Sequence, residues 1–99
     1  MQELVIKIRN NVGLHARPAA LFVQEAQKYN STIKTRSGNR EVNAKSILGI
    51  LGLGVSQDME IIITAEGVDE DQAIASLKAL IDKNFDEPVF LPDSKKNLE

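Results

Sequence analysis

The residues best placed to do chemistry lie in "NNVGLHARPAA", residues 10–20. His15 is the only histidine of the chain, and Arg17 follows it by two positions. An imidazole nitrogen is a good nucleophile near neutral pH, because much of it is unprotonated there. A guanidinium offers a fork of donors that matches phosphate oxygens. Pro18 is tolerated in a helix only in the first turn, where its missing N–H is not needed. It therefore fixes a helix start near Ala16 and puts His15 at or beside the N-cap. That end of a helix carries unpaired N–H groups and about half a positive charge, a ready anion site. Gly13 lets the chain turn tightly into the helix, which can hold the imidazole beside those donors. The combination reads as an anion held against an imidazole. Phosphoryl transfer asks mainly for such positioning and charge stabilisation.

Other histidine chemistries fit less well. A metal centre would need further His or Cys ligands, and the chain has one His and no Cys; no carboxylate cluster stands beside His15. A hydrolase would want a Ser nucleophile and an orienting acid, and nothing places them together. From the residues alone, a structural N-cap His with a merely solvated Arg17 stays open.

The elements that must position these residues follow from the hydrophobic pattern. "ELVIKIR" alternates Leu4, Ile6 and Ile8 against Lys7 and Arg9, the period of a half-buried strand. From Ala16 the apolar positions Ala16, Ala19, Ala20, Val23 and Ala26 describe a helix of about three turns. "STIKTRS" and "REVNA" flank Gly38-Asn39 and read as a β-hairpin. "AKSILGILGLG" starts with Ser46, a good N-cap, and runs about two turns before Gly52 and Gly54 end it. If Ile50 and Leu53 face the core, Ile47, Leu48 and Leu51 cannot all be buried; an exposed apolar patch of this kind marks a docking surface more often than an accident, the alternative being that neighbouring loops cover it. "MEIIITA" reads as a central strand. In "VDEDQAIASLKALIDKNF", Asp69 and Gln72 have capping-box spacing. Glu70, Asp71 and Lys83 suit the helix dipole, and Ala73, Ile74, Leu77, Leu80 and Ile81 form the buried stripe. The order βαββαβα predicts an α+β fold, a four-stranded antiparallel sheet covered on one face by three helices.

With 99 residues, one domain is expected, spanning residues 1–85, with a loosely ordered, Pro-containing tail at 86–99. Composition is that of a soluble globular chain, 42% hydrophobic and 26% charged. A net charge of −2 supplies no basic field to gather nucleic acid. The absence of Cys excludes disulfides and thiolate zinc sites. The N-terminus carries charges inside its apolar run and is no signal peptide. The apolar run 47–55 is too short to span a bilayer. A cytoplasmic protein without membrane insertion, metal or cofactor is the expectation.

"GLHARPAALFVQEAQKY", "NAKSILGILGLGV" and "GVDEDQAIASL" together resemble the HPr family, the histidine-containing phosphocarriers of the bacterial phosphoenolpyruvate–sugar phosphotransferase system. The resemblance runs from about residue 2 to residue 85, and the spacing of the first two segments makes coincidence unlikely. It implies the open-faced β-sandwich fold. It also implies that His15 is phosphorylated on Nδ1 by enzyme I and passes the group to enzyme IIA domains, with Arg17 steadying the phosphate. Such a chain is a carrier rather than an enzyme with its own small-molecule turnover, and is expected to be monomeric. Ser46 matches the position that an HPr kinase/phosphorylase modifies in Gram-positive relatives, whose seryl-phosphorylated form assists a catabolite-control regulator. The apolar patch Ile47, Leu48 and Leu51 would then dock enzyme I. Two other readings remain: a regulatory paralogue, and an anion-binding domain never phosphorylated. Asp58 stands in a turn where Gly is common in the family; Asp tolerates the left-handed conformation.

Overall fold

The alternating pattern of the N-terminal segment becomes strand β1 (Gln2–Lys7), with Leu4 and Ile6 half-buried. The computed structural model describes residues 1–10 and 13–86. Within them β1 is followed by helix α1 (Ala16–Gln27), strands β2 (Thr32–Ser37) and β3 (Arg40–Asn43), and helix α2 (Ile47–Gly52). Strand β4 (Glu60–Glu66), helix α3 (Glu70–Asp82) and a single 3-10 turn (Asn84–Asp86) complete the order. All strand pairs are antiparallel and the sheet order is β1-β4-β2-β3, so β4 is central. The architecture is the open-faced sandwich expected from the sequence.

Alternation decides which side of the sheet is covered. Ile33, Ile61, Ile63 and Ala65 are fully buried, and the register sets Ile6 opposite Ile61 and Ile33 opposite Ala65. Phe22 of α1, Ile50 of α2 and Leu77 of α3 are buried in the same core. The other side of the sheet stays open, with Lys34 and Arg36 exposed. The β2–β3 hairpin closes through Gly38-Asn39, with Ser37 opposite Arg40. Gly38 takes φ +63, a value that L side chains rarely adopt.

Three expectations need correction. Ala16 is exposed and Phe22 fully buried; the aromatic, and not the first alanine, anchors the stripe of α1. Gly52 lies inside α2, and Leu53 is its C-cap. The capping box at α3 does not form, for the Asp69 side chain makes no cap bond. Its carboxylate instead accepts from Asn30 N (2.8 Å), Ser31 N (2.9 Å) and Ser31 Oγ (2.5 Å). Those donors, the Ser31 hydroxyl foremost, hold Asp69 below the ordinary carboxylate range. The α3 entry is braced instead by Glu70, which accepts from Gly67 N at 3.0 Å and sits 3.0 Å from the Met1 ammonium. Phe85, the last residue of the expected domain, is fully buried at φ +59, so the core reaches the 3-10 turn. The tail placed at 86–99 falls, from residue 87 on, outside the described residues.

Candidate functional site

The segment around His15 is built by short-range backbone constraints. Asn10 is 4% exposed and its Nδ2 donates to Gly13 O at 2.8 Å, while Gly13 N donates to Asn10 O at 3.2 Å. Gly13 turns at φ +64. A Cβ there would lie 2.4 Å from Val55 O and 2.6 Å from Ser56 Cα, so only glycine lets the two segments touch. Leu14 N then donates to Val55 O at 2.9 Å. The loop before α1 is thereby fastened to the loop after α2.

His15 is the N-cap of α1, in extended backbone at φ −97 and ψ −164. Its side chain makes no cap hydrogen bond and is exposed, so the imidazole is left available. The His15 carbonyl accepts from Ala19 N at 2.7 Å, starting the helix. Pro18 has no N–H, which leaves Ala16 and Arg17 as the unpaired backbone donors of the first turn among the described residues. No acidic residue stands in that turn. Arg17 is exposed, and no hydrogen bond or ion pair engages its guanidinium among the described residues. An anion at this end of α1 would meet two N–H groups, the dipole and a free guanidinium, with an imidazole at its side.

A surface depression of about 490 Å³ opens beside it. Leu14, His15 and Ala16 line one wall, and Leu51, Gly54, Val55 and Ser56 the other. The structure thus joins His15 to Leu51, one member of the apolar patch. Ile47 and Leu51 are each 39% exposed and Leu48 is 79% exposed; Ile50 is fully buried. The inward and outward faces of α2 are therefore those the spacing requires.

Ser46 lies at the far end of α2, about 9 Å along a six-residue helix. Its Oγ accepts from Gly49 N at 3.0 Å, a true N-cap. The preceding residue is anchored to the end of α1: Lys45 Nζ donates to Tyr29 O at 2.7 Å and Gln27 Nε2 to Lys45 O at 3.2 Å. Asn10, Val55 and Ser56 are positioning residues that the sequence reading passed over. Asn10 carries the turn chemistry of an Asn; Val55 gives no local signal, because its role comes from a backbone carbonyl meeting a distant segment. No group of three or more His, Cys, Asp or Glu residues that could hold a metal exists among the described residues.

Comparisons with known proteins agree with this geometry. The family model for the PTS HPr component phosphorylation site matches residues 2–83. The HPr-like protein Crh of Bacillus subtilis is 42% identical over 81 residues, 82% of this chain and 95% of that protein. The crystal structure of HPr-C-His from Thermoanaerobacter tengcongensis is 53% identical with a TM-score of 0.88, covering 90% of this chain and 100% of that one. An HPr dimer from the same organism is 54% identical with a TM-score of 0.72, covering 88% of this chain and 100% of that one.

Proposed function

The chain belongs to the HPr family of phosphotransferase-system phosphocarriers, and from that premise we propose that His15 accepts a phosphoryl group from enzyme I and delivers it to enzyme IIA domains. The observation that carries the reading is the unused, exposed imidazole at the N-cap of α1. An imidazole nitrogen attacks the phosphorus of the phosphorylated donor; the new N–P bond forms as the bond to the donor breaks. The N–H groups of Ala16 and Arg17 and the Arg17 guanidinium balance the charge on the phosphoryl oxygens. The same steps in reverse order release the group to the next acceptor, so the chain carries phosphate without consuming a substrate of its own. Leu51, which shares the depression with His15, and its neighbours Ile47 and Leu48 form the docking surface for enzyme I. The working compartment is the cytoplasm; the expected monomer meets two relatives solved as dimers, HPr of Thermoanaerobacter tengcongensis and Crh of Bacillus subtilis. No helix among the described residues is long and apolar enough to cross a membrane.

The test is a two-step chase. Enzyme I and phosphoenolpyruvate should load one phosphoryl group on the chain, and addition of an enzyme IIA domain should remove it from the chain and place it on the IIA domain. A chain that cannot be loaded, or that holds its phosphate indefinitely against an active IIA domain, contradicts the carrier reading.

The likeness to Crh, together with the Ser46 cap, supports a second role. Crh, the Bacillus subtilis catabolite repression HPr, is 41% identical to this chain in its solution structure, over 81% of this chain. Phosphorylation of Ser46 by an HPr kinase/phosphorylase would put a dianion at the positive end of α2, beside Ile47 and Leu48. Regulation through a catabolite-control regulator would then share the surface proposed to dock enzyme I. Treatment with such a kinase and ATP should modify Ser46 and leave a Ser46→Ala chain unmodified; labelling elsewhere would remove this role.

A further inference from the structure

Ser56 forms part of the wall of the depression beside His15, and a thioether holds its backbone. Ser56 N donates to Met59 Sδ at 3.2 Å, and Ser56 Oγ donates to the same sulfur at 3.1 Å. Met59 N donates in turn to Ser56 O at 3.1 Å. A side chain three residues on thus reaches back to a backbone N–H, as Glu or Gln does in a capping box. Thioether sulfur is a weak acceptor, and here it takes both donors of one residue. The turn it closes holds Asp58 at φ +70, a left-handed conformation that works against closure.

The two flanks of this turn are tied to different segments. On one flank, Asp58 N donates to Ile8 O at 2.6 Å and Ile8 N donates to Met59 O at 2.9 Å, which fastens it beyond the end of β1. On the other, Ser56 touches the loop that carries His15. A Cβ on Gly13 would stand 2.6 Å from Ser56 Cα and 2.9 Å from Ser56 C, and Leu14 N donates to the adjacent Val55 O at 2.9 Å. With the Met59 backbone fixed at Ile8, a change at the sulfur is passed to Ser56, and from Ser56 to Gly13 and Leu14, the residues just before His15. Met59 is 36% exposed, so the side chain that closes the turn is open to solutes. The chain has one other methionine, Met1, 74% exposed. Its ammonium pairs with Glu70 at 3.0 Å, at the opposite end of β1.

We propose that Met59 is an oxidation site through which hydrogen peroxide slows phosphoryl acceptance at His15; the effect on acceptance rests on the carrier reading. Met59 Sδ attacks one oxygen of the peroxide. The S–O bond forms as the O–O bond breaks, and the sulfur gives up an electron pair. The proton on the transferred oxygen passes to the departing one, which leaves as water. The sulfoxide that results is polar and chiral. Its sulfur has spent on oxygen the electron density that accepted from Ser56, and the new acceptor lies one bond away. The Ser56 N–H and hydroxyl cannot both keep their positions. Either the oxygen stands between them and the sulfur and pushes Ser56 back, or it turns to solvent and releases Ser56. Both outcomes move the wall of the depression and the Gly13–Leu14 segment. A misplacement of about 1 Å can cost about 100-fold in rate. Sulfoxide reductases reverse the oxidation, which makes the site a switch.

The test compares the full chain with a full-length Met59→Leu variant, each before and after hydrogen peroxide, with peptide mapping to place the added oxygen at Met59 or Met1. In the native chain, oxidation at Met59 should shift the NMR amide signals of Gly13, Leu14 and Ser56. It should also slow loading by enzyme I and phosphoenolpyruvate by about threefold or more. Methionine sulfoxide reductase should restore both. Met59→Leu, oxidisable only at Met1, should load at the same rate before and after treatment. Unmoved amide signals or unchanged loading in a chain oxidised at Met59 would overturn the proposal. So would equal slowing in treated Met59→Leu, or a Met59 left intact by peroxide that oxidises Met1. Each of those failures is read in a chain that loads untreated; an untreated chain that does not load would instead remove the carrier reading, and the proposal with it.

Discussion

Replacing Gly13 with Ala tests how the site is held, because the structure separates two costs. The first is conformational: a residue with a Cβ in the left-handed region costs about 1–2 kcal/mol. Gly38, at φ +63, carries that cost alone, since a Cβ there would meet nothing within 4 Å. Gly13, at φ +64, carries a second cost, since its Cβ would stand 2.4 Å from Val55 O and 2.6 Å from Ser56 Cα. Both contacts are backbone, so relief requires the two loops to separate and the Leu14 N–Val55 O bond of 2.9 Å to open. A net hydrogen bond is worth about 0.5–1.5 kcal/mol. Gly13→Ala should therefore cost about 1.5–3.5 kcal/mol and Gly38→Ala about 1–2 kcal/mol. The gain from restricting the unfolded chain is common to both and cancels in the comparison. At about 4–8 °C per kcal/mol for a domain this size, the extra cost of about 0.5–1.5 kcal/mol at Gly13 should separate the two variants in thermal melting by about 2–12 °C. Folded Gly13→Ala should also accept phosphate more slowly, because His15 follows the displaced loop. If Gly13→Ala melts no lower than Gly38→Ala, the close approach does not hold the site, and the account of how His15 is positioned fails.

Ser46→Ala removes the cap on Gly49 N and should cost about 1 kcal/mol. Ser46→Asp should keep its melting temperature or gain up to about 1 kcal/mol from the helix dipole, yet accept phosphate from enzyme I much more slowly, because a carboxylate beside Ile47 and Leu48 is costly to desolvate in the interface; normal transfer in that variant would reduce Ser46 to a cap. Arg17→Lys should change stability by less than about 0.5 kcal/mol, since Arg17 is exposed and unengaged, while transfer to enzyme IIA slows; unchanged kinetics would make Arg17 a solvated surface residue. Glu25, Asp69 and Glu70 are held below their ordinary values by Ser76, Ser31 and Gly67 respectively, the leading cause in each case. Groups with a depressed folded pKa stabilise fully above the unfolded value and lose that contribution as pH falls through the folded one. Urea midpoints should therefore hold from neutral pH down to about pH 5 and fall below about pH 4, less steeply in Asp69→Asn; a midpoint flat to pH 3 would show that these bonds do not contribute.

What could be read in advance was what depends on neighbours in sequence. Pro18 marks the first turn of α1 by a rule of backbone chemistry, and the N-cap fell on His15 as expected. Ser46 caps α2 for an equally local reason. The spacing of Ile50 and Leu53 against Ile47, Leu48 and Leu51 decided which face of α2 would be exposed. Asp69 shows where such reading ends. Its spacing to Gln72 is that of a capping box, but Asn30 and Ser31, nearly forty residues earlier in the sequence, take the carboxylate. Phe85 closes the core from a left-handed turn, a conformation no propensity assigns to phenylalanine. The type of Gly13 was legible, but not its reason, because Val55 and Ser56 reach it only once α2 is folded.

The central claim is that His15 carries the phosphoryl group, and intact mass after incubation with enzyme I and phosphoenolpyruvate tests it most directly. The native chain should gain the mass of a single phosphoryl group and lose it on brief acid treatment, as an N–P bond does. His15→Ala should gain none, while its stability changes by less than about 0.5 kcal/mol, since the exposed imidazole makes no cap hydrogen bond. A folded His15→Ala chain that gains the same acid-labile mass would place the acceptor elsewhere and contradict the account.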